Sequence, residues 1–228
     1  MAARGTASFK ATASKATASG AAEAHLSARD PDLARLIARV GPSRLAATPR
    51  EPYEALVRAV AHQQLHGRAA ESILGRLLAL HPGEAFPSPA SLLALSDEAF
   101  RACGFSASKA AAIRGICDHA ARGVVPCAAD ASGLADAELI ERLVALRGVG
   151  RWTVEMLLIF TLGRPDVLPV DDFAVREGWR LVKRLDAQPR PRELARVGEA
   201  WAPWRSTAAW YLWRAADEAK RVPLPGPG

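Results

Sequence analysis

Nowhere does this chain approach the roughly 18 consecutive apolar residues that a membrane-spanning helix requires, so no membrane partner is expected. Cysteine is scarce. Cys103, Cys117 and Cys127 are odd in number, and their spacings fit neither a disulfide framework nor a zinc or iron–sulfur site. That pattern belongs to a reducing, intracellular compartment. Runs of β-branched residues are rare while alanine and leucine dominate, which favours helices over sheets. No internal repeat and no convincing strand is found. What is present is half hydrophobic, and 228 residues suffice for one large domain or two small ones sharing a cleft. The formal net charge of +6 suits a polyanionic partner, since each lysine or arginine placed on a phosphate releases counterions. Many basic proteins never touch nucleic acid, so charge alone is a weak signal.

The first residues are rich in alanine, serine and threonine and carry Arg4, Lys10 and Lys15. They are expected to form a disordered basic tail over residues 1–28. A transit peptide is the lesser alternative, because arginine is sparse and no amphipathic stripe is evident. Folded chain is expected over 29–221, followed by a Pro-rich tail at 222–228. Asp30 followed by Pro31 predicts a helix start. From Pro52, Leu56, Val57 and Val60 keep helical spacing, and Ile73, Leu74 and Leu77 do so after Gly67. Ser88, Ser96 and either Ser106 or Ser108 are placed to cap further helices. Residues 123–133 read as a connecting loop, and Asp136 as the cap of the next helix. A helix–turn–helix unit is expected over about 137–162, with three more helices after it.

The most informative segment is Leu146-Arg147-Gly148-Val149-Gly150-Arg151-Trp152-Thr153. Two glycines flank an apolar residue between helices. Glycine admits positive φ and lets backbone approach a ligand closely, Val149 can plug into the core, and the N–H groups opening the second helix favour an anion such as a DNA phosphate. An ordinary helix stop and restart accounts for Gly-x-Gly alone equally well. His62 and His66 stand four apart, as in a zinc helix, but Gln63 replaces the glutamate that a zinc hydrolase needs and no third ligand suggests itself.

With its neighbours, this segment resembles the hairpin of the helix-hairpin-helix DNA glycosylases. Gly163-Arg164-Pro165-Asp166 and then Leu168-Pro169-Val170-Asp171-Asp172-Phe173-Ala174-Val175-Arg176 follow it as the family's loop and aspartate do. Upstream, Tyr53-Glu54-Ala55-Leu56 through Ala61-His62-Gln63-Gln64-Leu65 resembles the family's helix ending in a Gln-Gln loop. Downstream, Trp201-Ala202-Pro203-Trp204-Arg205-Ser206 is similar to the segment opening the final helix of the 3-methyladenine glycosylase II branch. The resemblance covers roughly Pro52 to Ala219 and implies an all-α fold, two helical lobes around a cleft. Relatives in that branch often carry an N-terminal β-rich domain, and none is expected here.

The resemblance implies the site. Asp172 matches the catalytic carboxylate and Asp171 a variable position, although an aspartate before a helix also serves simply as a cap. One fixed anion suffices to stabilise the oxocarbenium-like sugar formed when an N-glycosidic bond breaks, and to orient the attacking water. Trp152 and Trp213 match aromatics of the base pocket, with Phe173 as a further candidate. Met156 stands where the family often has tyrosine. Each tryptophan could equally be core. Gln64, with Leu65 beside it, matches the side chain that fills the gap left by a flipped nucleotide, and His66 departs from the small hydroxyl residue common there. Gly148, Val149, Gly150, Arg151 and Thr153 match the phosphate-binding turn. The backbone carbonyls of Leu146 and Val149 match a structural sodium or potassium site, and no other cofactor is expected. The bifunctional relatives place a lysine near the hairpin's Gly-Arg, where this chain has Trp152, and it lacks their four-cysteine cluster. The expected protein is therefore a monomeric, monofunctional glycosylase acting on alkylated bases in double-stranded DNA. It is expected to be cytoplasmic, nucleoid-associated and bacterial. Uracil, hypoxanthine or oxidised bases remain alternative lesions, and a non-catalytic DNA-binding module a different class.

Overall fold

A computed structural model describes residues 20–65 and 67–221. The expected tails before residue 20 and after residue 221, and His66, lie outside the described residues. In chain order the helices are α1 (20–29), α2 (Pro31–Val40), α3 (Pro52–His62), α4 (Gly67–Ala79), α5 (Pro89–Leu93), α6 (Asp97–Cys103), α7 (Ala107–Ala121), α8 (Ala128–Gly133), α9 (Asp136–Val144), α10 (Arg151–Phe160), α11 (Phe173–Lys183), α12 (Pro191–Gly198) and α13 (Arg205–Arg221). No strand occurs among the described residues. The chain divides into two compact units, Met1–Ala46 with Arg164–Gly228, and Ala47–Gly163.

The first unit holds α1, α2 and α11–α13. Leu33 and Leu36 of α2, Val175 and Trp179 of α11, Leu194 of α12, Trp201, and Tyr211 and Leu212 of α13 form one buried cluster. Asp30 caps α2, its carboxylate accepting from the N–H groups of Asp32 and Leu33. Helix α11 approaches α13 backbone to side: a Cβ on Gly178 would lie 2.0 Å from the Leu212 carbonyl oxygen, so only glycine fits.

Residues 20–28 depart from the expected tail. They are helical, Ala22 and Leu26 are buried, and Leu26 belongs to the same cluster. The reason is a polar anchor as well as packing. Glu23 accepts from the Ser43 N–H at 2.6 Å and from the Tyr211 hydroxyl at 3.0 Å, and that hydroxyl lies 2.9 Å from the Gly41 carbonyl. Burial and the Glu23 carboxylate together push the Tyr211 phenol above its ordinary pKa.

The second unit holds α3–α10. Leu56, Val57 and Val60 of α3, Ile73, Leu74 and Leu77 of α4, Phe100, Ile113, Ile116 and Leu139 are all buried, at the helical spacing read from the sequence. Ser88, Ser96 and Ser106 cap α5, α6 and α7. Two local expectations are corrected. Residues 123–133 are not all loop, because Cys127 Sγ accepts from the Asp130 N–H and opens the short α8. Asp136 is the first residue of α9, not its cap, which is Ala135. Cys103 and Cys117 are free and buried, and desolvation pushes the Cys117 thiol up to about 12.

Leu26→Ala tests whether α1 belongs to the core. Deleting a fully buried leucine is expected to cost about 2–5 kcal/mol of unfolding free energy by denaturant titration. A cost near zero would return this segment to the tail.

Candidate functional site

In the second unit, α9 and α10 are joined by the hairpin turn. The Val149 N–H donates to the Leu146 carbonyl at 3.1 Å, and both side chains are buried. Gly148 has φ +82°, and a Cβ there would come within 3.1 Å of Ala112 on α7, so the turn needs glycine on both counts. Gly150 precedes α10 in an extended conformation, with no side chain capping the helix. The N–H groups of the first turn of α10 thus carry the partial positive charge of a helix start. Arg151 is exposed, and its Nε donates at 2.9 Å to Glu155, which is almost wholly buried. Thr153, in the first turn of α10, is 5% exposed.

Trp152 is 48% exposed and Met156, one turn further along α10, is half-buried. Met156 lines a groove of about 290 Å³ between α3 and α10, with Arg58, Ala59, His62 and Phe160. His62 Nε2 lies 3.1 Å from Glu71, and among the described residues no cluster of three metal-ligating side chains exists.

Beyond α3 the chain turns sharply. Gln64 is exposed at φ +57°, a left-handed conformation uncommon for a residue with a side chain, and Leu65 is 40% exposed. Two residues not expected from the sequence hold this turn. Gln63 Nε2 donates at 2.9 Å to the Gly148 carbonyl of the hairpin. Lys109 Nζ donates to the carbonyls of Ala61 at 2.9 Å and Gln63 at 2.7 Å. One signal was visible: in an arginine-rich chain, Lys109 is the lone lysine between Lys15 and Lys183.

In the first unit, Asp172 caps α11. Its Oδ1 accepts from the Val175 N–H at 2.8 Å and from the indole N–H of Trp213 at 3.1 Å. Asp172 is half-buried, whereas Asp171 is exposed and does not cap. The sequence marked Trp213 as a pocket aromatic only, and its hydrogen bond to the carboxylate was not foreseen. Phe173 is 65% exposed at the first position of α11. One turn beyond Asp172, Arg176 Nε is buried without a hydrogen-bond partner among the described residues.

The loop leading to Asp172 is fixed to the start of α13. Arg205 donates to both carboxylate oxygens of Asp166, at 2.7 and 2.8 Å, and this bonding holds that carboxyl below its usual range. Ser206 Oγ donates to the Arg164 carbonyl and accepts from the Val167 N–H. In the Trp201–Ser206 motif, Trp201 is core and the last two residues tie down the segment carrying the aspartate. Asp172, Phe173 and Trp213 thus lie on the first unit, and Gln64, Leu65, Leu146, the hairpin turn, Trp152 and Met156 on the second.

Residues 57–203 match the HhH-GPD superfamily of base excision DNA repair proteins, and the chain belongs to that family. It is 44% identical over 207 residues to DNA-3-methyladenine glycosylase 1 of Schizosaccharomyces pombe, across 88% of this chain and 90% of that one. The structure of the fission yeast 3-methyladenine DNA glycosylase in complex with abasic DNA matches with a TM-score of 0.80 at 43% identity, covering 89% of this chain and 99% of that one. The DNA-3-methyladenine glycosidase of Bacillus halodurans matches with a TM-score of 0.78 at 36% identity, covering 86% and 89%. The all-helical hairpin family expected from the sequence is the one found. The expected bacterial source gains no support, since the relative at 44% identity is fungal. Among the described residues no helix is long and apolar enough to cross a membrane.

Two substitutions separate the capping role of Asp172 from its chemistry. Asp172→Ala removes the acceptor for the Val175 N–H and is expected to cost about 1 kcal/mol of stability. Asp172→Asn retains an oxygen acceptor and is expected to unfold within a few tenths of a kcal/mol of the wild type, as read by denaturant titration. Equal losses would show that the cap does not depend on the acceptor.

Proposed function

We infer that this protein is a monofunctional DNA glycosylase that flips alkylated bases, of the 3-methyladenine and 7-methylguanine type, out of duplex DNA and excises them, starting base excision repair. The observation that carries this reading is the seat of Asp172. The start of α11 and the Trp213 indole N–H both donate to one of its oxygens, so the carboxylate is held in place before any substrate arrives. The names of the relatives at 44% and 36% identity point to the same lesion class.

A fixed anion of this kind stabilises the positive charge that builds on the deoxyribose as the N-glycosidic bond lengthens. The bonding pair leaves with the base, whose ring is cationic when alkylated and becomes neutral on departure, so no strong general acid is required. Water then bonds to C1′ and gives up its proton to the Asp172 carboxylate. No amine nucleophile stands near the hairpin's Gly-Arg, where Trp152 is found. The one lysine of the second unit, Lys109, has its Nζ engaged by two carbonyls. Strand cleavage is therefore not part of the reaction.

Trp152, Met156, Trp213 and Phe173 would receive the flipped base, the tryptophans offering electron-rich faces to a cation. Gln64 and Leu65 would fill the gap in the stack. The turn Gly148-Val149-Gly150, with Arg151 and the Thr153 N–H, would bind phosphate. The Leu146 carbonyl accepts the Val149 N–H, and a carbonyl oxygen has a second lone pair, so the Leu146 and Val149 carbonyls would be the ligands of a structural sodium or potassium ion. The protein would act as a monomer wherever cellular DNA is exposed to alkylation.

Base release from methylated duplex DNA, measured beside Asp172→Asn, tests the reading. The wild type is expected to release methylated purines and leave strands uncut until alkali is added. Asp172→Asn is expected to bind the duplex normally and lose about a hundredfold or more in single-turnover rate. Equal loss of binding and release would remove Asp172 from the chemistry, and release from uracil or oxidised substrates alone would move the lesion class. Affinity for duplex should also fall steeply with salt, roughly a hundredfold between 50 and 200 mM for about four phosphate contacts. A flat titration would contradict the phosphate-binding turn.

A further inference from the structure

The end of α3 presents a problem that the local sequence does not solve. The last carbonyls of a helix lack partners within it. Here the chain leaves α3 through Gln63 and then places Gln64 at φ +57° with no glycine to ease it. Such a conformation persists only where surrounding structure over-determines it. Two side chains do so. Lys109 Nζ reaches the carbonyls of Ala61 and Gln63, one on either side of the last residue of α3. Gln63 spans to the Gly148 carbonyl in the hairpin.

Lys109 sits in the first turn of α7, where Ser106 accepts from its backbone N–H. A positive charge there opposes the dipole of its own helix. At the C-terminal end of α3 the same charge is favourable. The side chain is half-buried, and desolvation lowers its pKa, a cost that the two short hydrogen bonds offset. A compact ammonium can sit between two carbonyls in a way that a planar guanidinium cannot, which accounts for lysine at this point in an arginine-rich chain. Helix α7 also backs the hairpin, because Ala112 lies against Gly148. One helix start thus supports both the exposed turn and the hairpin.

We propose that Lys109 is a positioning residue for base flipping: with Gln63 it locks the Gln64–Leu65 turn at a fixed place relative to the Gly148–Gly150 hairpin, so that gripping the phosphate and entering the base stack occur in register. Lys109 itself touches neither sugar nor base. The proposal rests on the reading of Gln64 as the stack-filling side chain and adds to it the device that aims that side chain.

The test compares single-turnover release of 7-methylguanine from an intact duplex and from the same lesion in an unpaired bubble, where no stack has to be entered. Wild type, Lys109→Met, Lys109→Arg, Gln64→Ala and the Lys109→Met/Gln64→Ala pair are measured. Fluorescence of 2-aminopurine beside the lesion reads flipping directly. Lys109→Met is expected to slow duplex release by about tenfold and reduce the 2-aminopurine signal, while bubble release and duplex affinity stay within about twofold. Lys109→Arg should not restore the rate. Gln64→Ala should show the same substrate pattern, and the double variant should be no slower than the slower single one, because both act through one side chain. Gln63→Ala, which severs only the link to Gly148 and leaves the Lys109 clasp on α3, should show a smaller loss of the same kind. It serves as the probe if Lys109→Met fails to fold. Equal slowing on duplex and bubble would make Lys109 merely structural and overturn the proposal, as would additive losses in the double variant. If Gln64→Ala slows duplex release and neither Lys109→Met nor Gln63→Ala does, the proposal fails alone. If Gln64→Ala leaves duplex release intact, the stack-filling reading fails and takes the proposal with it.

Discussion

The approach of α11 to α13 governs the surroundings of Asp172. Gly178 lets the α11 backbone lie directly against the Leu212 carbonyl, and any side chain at 178 would force the two helices apart. The residue after Leu212 is Trp213, whose indole N–H reaches back to Asp172 at the start of α11. Helix spacing, the reach of the tryptophan and the orientation of the carboxylate are therefore one constraint. A single aspartate meets two demands through it. It caps a helix, which is a matter of stability, and in the proposed reaction its fixed negative charge would be a matter of catalysis. The capping bond also fixes the carboxylate, so the two roles reinforce each other instead of competing.

The second unit solves a different problem, that of holding exposed features rigidly without burying them. In the proposed function the hairpin would offer backbone N–H groups to an anion, and the turn after α3 would project side chains outward. What lies behind them supports both: Val149 and Leu146 buried under the hairpin, Ala112 against Gly148, Lys109 clasping the end of α3, and Gln63 bridging turn to hairpin. Arg151 follows the same logic, its exposed guanidinium tethered by the buried Glu155. Polar contacts from a supporting layer act here together with apolar packing.

Reading the sequence succeeded where the signal is local. Helix starts at Asp30, Ser88, Ser96 and Ser106 are capping chemistry that operates within three residues, and apolar spacing in α3 and α4 follows from 3.6 residues per turn. It failed over residues 20–28, where an alanine-rich composition resembles a tail. There the helix is decided by Leu26 entering a core and by Glu23 meeting Ser43 and Tyr211, partners as far as 188 positions away. It also read residues 123–133 as loop because α8 is a single short turn capped by a cysteine, an unusual acceptor.

By itself the sequence determined the helical class, the glycine turn and the aspartate ahead of α11, because each depends on residue type and on spacing along a few turns of chain. Only the tertiary structure decided which donor orients Asp172, and that Lys109 and Gln63 clasp the end of α3 to the hairpin. Those contacts join positions 41, 46 and 85 residues apart. Their existence depends on where whole helices pack, and no local pattern of residues encodes a distance of that kind.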